Sequence, residues 1–163
     1  MDDHDNFNTL TEAFQAFLKV VQSVPDDLYL SPINGWSTRD VVAHLVGWNR
    51  NMIEAGKEIL RGGKPSYYPD APNDYKNING AFVSLYSSRD KTFLLNELAV
   101  SLSELEAFVH GLDPSERTAD YGVVHYRGGP ATITRLIDSL AGDYQYHRNE
   151  IQEWLNSKGL KMP

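Results

Sequence analysis

Two side chains four residues apart, Asp143 and His147, lie in the stretch TITRLIDSLAGDYQYHRNEIQEWL, and a helix there turns both into its apolar stripe. At about 100° per residue from Leu136, the side chains of Leu140, Ile151 and Trp154 fall within about 60°, and so do Asp143 and His147. Withdrawing a carboxylate and an imidazole from water is costly unless each finds a partner. The partners at hand are each other, in an ordinary hydrogen-bonded ion pair, or a metal ion. The same i, i+4 spacing lets two histidines share a zinc ion in an H-E-x-x-H helix. Glu150, about 40° off the stripe, is a weaker candidate, as an extra ligand or as an acceptor behind one.

These residues need a scaffold of helices. Phe7, Leu10, Phe14, Phe17, Leu18 and Val21 recur at three- and four-residue steps before Pro25, which predicts a first helix over residues 5–24. Ser37 and Asp40 form an S-x-x-D start for a second helix that ends at Leu60 before Gly62 and Gly63. Its inward face is Val41, Leu45, Trp48, Met52 and Ile59, with His44 at the edge. The segment KPSYYPDAPND reads as a loop with the composition of a binding rim or a packed surface loop. Ile78, Phe82, Leu85 and Tyr86 begin a helical piece, and Ser87 or Ser88 can restart a helix carrying Phe93 to Val109, so one kinked helix or two shorter ones both fit. A short extended piece over Val123–Tyr126 precedes a last helix over residues 131–157. The expected fold class is all-α, four main helices in one bundle, with the whole chain, residues 1–163, as a single domain.

Composition narrows the functions. The 163 residues carry a formal charge of −7, which opposes the broad basic surface that neutralises nucleic-acid phosphates. Lys57, Arg61 and Lys64 gather at a helix end, where cations also complement the dipole. No apolar run is long enough to span a bilayer and the first ten residues are acidic and polar, so the expectation is a cytoplasmic protein with no membrane and no nucleic-acid partner. Cysteine is absent, which removes thiolate ligands and a catalytic thiol of the chain's own. There is no G-x-S-x-G elbow, P-loop or dinucleotide-type glycine fingerprint.

Metal sites in bundles form where inward side chains of facing helices meet. His44 is therefore the natural third ligand beside Asp143 and His147, and two imidazoles with one carboxylate leave coordination positions open for water or substrate. His4, His110 and His125 read as structural or exposed. Tyr144 and Glu150 are candidate proton handlers, and Trp48, Tyr67, Tyr68 and Tyr75 are candidates for a pocket wall, although aromatic residues at helical spacing more often belong to a core.

The pattern WSTRDVVAHLVGWN, followed much later by GDYQYHRNEI, resembles the DinB-like family of four-helix bundles, together with YfiT-type proteins and the N-terminal domains of mycothiol-dependent isomerases. Trp36 and Ser37, then His44, then Asp143 and His147 stand where that family has a tryptophan-serine pair, a histidine and a paired ligand set. The resemblance implies an up-down-down-up bundle holding a divalent metal, nickel or zinc, on His44, Asp143 and His147. It further implies a low-molecular-weight thiol cosubstrate, a small electrophilic substrate and a homodimer. The reaction it implies is a metal-dependent thiol transfer or isomerisation, with hydrolysis as a close variant. Asp143 departs from the histidine many members carry there, while the isomerase branch also uses an acid. The HLVGW stretch is similar to self-resistance proteins of the ClbS and DfsB type, which keeps a non-catalytic binding or protection role open.

Overall fold

The computed structural model describes residues 3–69 and 74–160. Among the described residues, six helices and one small hairpin follow in order: α1 (Asp3–Ser23), a 3₁₀ turn (Asp26–Leu28), β1 (Pro32–Ile33), β2 (Trp36–Ser37), α2 (Thr38–Leu60), α3 (Lys76–Leu85), α4 (Lys91–His110), α5 (Pro114–Thr118) and α6 (Ile133–Ser157). The long helices α1, α2, α4 and α6 form the expected up-down-down-up bundle, with α1 packed on α6 and α2 on α4 and α6. The core is the sum of their apolar stripes: Leu10 and Phe17 from α1, Leu45 and Ile59 from α2, Leu94 and Leu98 from α4, Leu140 and Ile151 from α6.

Local signals set the helix ends. Ser37 Oγ accepts the Asp40 amide at 3.2 Å while Asp40 Oδ2 accepts the Ser37 amide at 3.0 Å, a full capping box that starts α2 where its sequence predicts. The ambiguous middle resolves into two helices. Asp90, rather than Ser87 or Ser88, caps α4, accepting the Phe93 amide at 2.8 Å. The extended piece expected over residues 123–126 amounts to one isolated bridge between Val124 and Pro130, because the glycines of the Gly-Gly-Pro turn leave too few residues for a ladder.

Two features bring the site together. Asn34 (φ +48°) and Gly35 (φ +94°) make the tight turn between β1 and β2, the Asn-Gly pair suiting the left-handed backbone such a hairpin requires. This hairpin lays Trp36 against the bundle. Gly47 on α2 carries no side chain, and the Phe82 ring of α3 occupies the space a methyl group would need. That close seat brings Asn79, one turn before Phe82, over His44, one turn before Gly47.

Candidate metal centre

His44, Asp143 and His147 converge between α2 and α6, each offering a donor atom so that the three lie within 4.8 Å of one another. His44 Nε2 lies 2.9 Å from Asp143 Oδ2, and His147 Nε2 lies 3.3 Å from Asp143 Oδ1. Both imidazoles are buried, whereas the aspartate side chain retains 32% of its exposure. Burial raises the Asp143 pKa, but hydrogen bonds from His147 and His44 outweigh it and hold the carboxyl well below the usual range.

The orientation of His44 is set from behind. Asn79 Oδ1 accepts the indole N–H of Trp48 at 2.8 Å, which identifies that atom as the amide oxygen, since an indole can only donate. The same oxygen lies 3.0 Å from His44 Nδ1, so Nδ1 carries a hydrogen and donates it. His44 Nε2 is then left either as a bare lone pair facing a carboxylate or as the second N–H of a buried imidazolium. His147 Nδ1 faces Glu150 Oε1 at 3.5 Å, close enough for charge attraction though without hydrogen-bonding geometry. A carboxylate there attracts a proton to Nδ1 without fixing the tautomer. With Nδ1 committed to Asn79, His44 can donate to Asp143 only by carrying a second proton, whereas His147, whose Nδ1 makes no hydrogen bond, can face Asp143 as the neutral Nε2–H tautomer. A divalent ion would meet all three donors at once, with Asn79 as the outer acceptor behind His44 and the Glu150 carboxylate facing His147 Nδ1. Two imidazoles and a carboxylate form a donor set that could hold a divalent transition ion.

Trp36 of the hairpin packs beside both rings, its centroid 5.0 Å from His44 and 6.3 Å from His147, nearly parallel to the latter at 23°. Its neighbour in the turn, Asn34, places Nδ2 3.5 Å from Glu150 Oε2. A cavity of about 450 Å³ opens onto His44 and Asp143, lined by Trp48, Tyr67, Tyr75 and Tyr126 with Ser139 and Gly142 of α6. Tyr68 packs beside this wall against Tyr67 and Tyr126.

The structure places the other candidates elsewhere. Tyr144 is fully buried and donates to Asn49 Oδ1 at 3.0 Å, inside a core network that continues from Asn49 to Ser101. Burial pushes its pKa up, and its hydroxyl is committed to Asn49 on the core side of α6. Glu150 stands behind His147 and not among the three converging donors. His125 is buried and accepts the Arg127 amide on Nδ1 at 3.0 Å, and His110 packs on Phe7. The side chain of His4 lies outside the described residues. Asn79 and Tyr126 are the neighbours that the sequence does not single out, and Trp36 stands out only through the tryptophan-serine pair of the family pattern. Asn34-Gly35 between Ile33 and Trp36 carried the signal for the hairpin; nothing in the chain pattern signals Asn79, which lies 35 residues from the histidine it meets.

Solved structures share this fold. An uncharacterised protein from Escherichia coli UTI89 is 18% identical with a TM-score of 0.78, over 98% of this chain and 96% of that one. A protein from Streptococcus pneumoniae is 12% identical with a TM-score of 0.78, over 96% of this chain and 91% of its own. The colibactin self-resistance protein ClbS, solved in complex with a dsDNA, is 18% identical with a TM-score of 0.76, over 93% of each chain. No curated protein matches. The family model of the DinB superfamily matches residues 9–151, and the chain accordingly belongs to the DinB superfamily.

Proposed function

We propose that this chain is a divalent-metal-binding protein that uses His44, Asp143 and His147 as ligands, with zinc or nickel as the ion, and acts on a small electrophilic molecule. The observation that carries the reading is the pair of inward Nε2 atoms meeting one carboxylate, with His44 Nδ1 already committed to Asn79. When bound, the ion supplies Lewis acidity that lowers the pKa of a thiol or water presented to it. The chain has no cysteine, so a nucleophilic thiol comes from a small cosubstrate. Asp143 and the two histidines would hold the ion, Trp36 and Asn79 fix the rings, Glu150 places its charge beside His147 Nδ1, and the aromatic wall lines the cavity in which a substrate would sit.

A second reading is favoured by the likeness in fold to ClbS: the same cavity sequesters a reactive compound for self-protection without turnover. The net charge of −7 supports a small molecule rather than nucleic acid as ligand. Elemental analysis of purified protein, with His44→Ala and His147→Ala beside it, tests the metal. One ion per chain, lost in both variants while their circular dichroism is kept, is expected. Folded wild-type protein that never takes up a stoichiometric ion overturns the reading. Consumption of an electrophile with added thiol separates turnover from sequestration.

A further inference from the structure

Helices α2, α4 and α6 are each secured at their start, and α3 is not. Ser37 caps α2, Asp90 caps α4 and Thr132 caps α6, each side chain accepting a backbone amide of the first turn. At Tyr75, the residue before α3, no side chain accepts an amide, and no acidic residue stands in the first turn. Lys76 instead brings a positive charge to the positive end of the helix. Asn77, Asn79 and Gly80 are poor helix formers, and packing does not require Gly80, since a Cβ built there meets nothing within 4 Å. At 10 residues, α3 is too short to stand as an isolated helix.

Tertiary contacts therefore hold it in place. No residue of α3 is buried, and Ile78 and Phe82 reach the core only in part. Phe82 takes the space beside Gly47 and meets the Trp48 ring edge to face at 5.5 Å and 78°. Asn79 supplies the polar attachment, its Oδ1 shared by the Trp48 indole at 2.8 Å and His44 Nδ1 at 3.0 Å. An element with so little buried surface opens at a lower free energy than the helices around it. Opening takes Asn79 off His44 and removes Tyr75 and Asn79 from the cavity wall that they line. The attachment also has a sense, because His44 presents Nε2 to Asp143 on the far side of the same ring. A cation on Nε2 withdraws electron density through the imidazole and makes the Nδ1 hydrogen a stronger donor to Asn79.

We propose that α3 is a metal-sensitive latch: in the metal-free protein it opens locally while the bundle stays folded, and a divalent ion on His44 closes it through Asn79, so that the cavity wall is complete only once the ion is in place. The trigger rests on the metal reading above, whereas the looseness of α3 does not. By linkage, the factor by which the ion favours the closed form is also the factor by which closure tightens the ion.

The test is amide hydrogen exchange of the full chain, read by mass spectrometry after chelator treatment and again with saturating zinc or nickel, whose uptake is counted by elemental analysis. In the metal-free protein the α3 amides are expected to exchange about 100-fold or more faster than those of α2 and α6, with little dependence on dilute urea. Metal is expected to slow α3 exchange about tenfold and to leave α5, which has no part in the site, unchanged. In Asn79→Leu, loaded at higher metal concentration, that slowing is expected to vanish. Gly80→Ala is expected to slow α3 exchange about three- to fivefold without metal, because alanine is the better helix former and meets no neighbour there. Metal-free α3 amides as protected as those of α2 overturn the latch. So does equal α3 exchange with and without metal in protein that holds one ion per chain, or slowing by metal that survives in Asn79→Leu. Protein that takes up neither ion overturns the metal reading and the latch together, and elemental analysis tells that case from the others.

Discussion

Asn79 and His44 meet at 3.0 Å across α3 and α2, and the amide oxygen of Asn79, already taken by the Trp48 indole, settles which imidazole nitrogen of His44 carries hydrogen. Asn79→Leu removes that setting and is expected to lower zinc or nickel affinity about 10–100-fold, with Asn79→Asp, which keeps an acceptor, closer to wild type. Competition against a chromophoric chelator reads the affinity. Equal affinity in wild type and Asn79→Leu would show that Asn79 does not act through His44.

Gly47 sits one turn along α2 from His44 and under Phe82. Gly47→Ala is expected to push α3 outward, destabilising the fold by about 1–3 kcal/mol through overpacking despite the better helix propensity of alanine. Because Asn79 rides on α3, metal affinity should fall with it. Urea unfolding and chelator competition on the same variant check both halves; a more stable Gly47→Ala protein would contradict the packing.

Tyr144 lies beside Asp143 in sequence yet donates to Asn49 in the core. Tyr144→Phe leaves the Asn49 oxygen unsatisfied and should cost about 1–3 kcal/mol in urea unfolding. Metal content should be unaffected. Loss of bound metal in a folded Tyr144→Phe protein would return Tyr144 to the site.

His125 gives a pH signature of its own. Burial lowers its pKa from 6.5 to about 4, and the positive charges of Arg135 and Arg127 act in the same direction. As pH falls the unfolded chain takes up the proton first, so the stability linked to this group is whole above about pH 6.5 and is lost progressively toward pH 4. The difference in unfolding free energy between wild type and His125→Asn should therefore shrink across that interval, and a constant difference would place the His125 pKa in its ordinary range.

How much of this was legible beforehand follows the range of the interactions. The Ser37–Asp40 box, the α2 stripe from Val41 to Ile59 and the Asp143–His147 pair depend on residues within one or two turns of each other, and each stands in the structure as its spacing predicts. The cap of α4 was displaced from Ser87 or Ser88 to Asp90 because serine and aspartate cap equally well and the choice falls to how α4 docks on α2. One helical step, about 100°, separates the cavity face of α6 at Asp143 from its core face at Tyr144, and only the packing shows that the Tyr144 hydroxyl meets Asn49.

By itself the chain determined that four amphipathic helices would bury one face each, that an acid and an imidazole would share a stripe on the last of them, and that no cysteine would take part. Those are matters of composition and of the helical period. The tertiary structure alone decided that Asn79, 35 residues away, would lock the His44 ring and that the Asn34-Gly35 hairpin would lay Trp36 over both histidines. Each of these joins segments distant along the chain. Such contacts are set by how whole helices and loops pack, which no local pattern encodes.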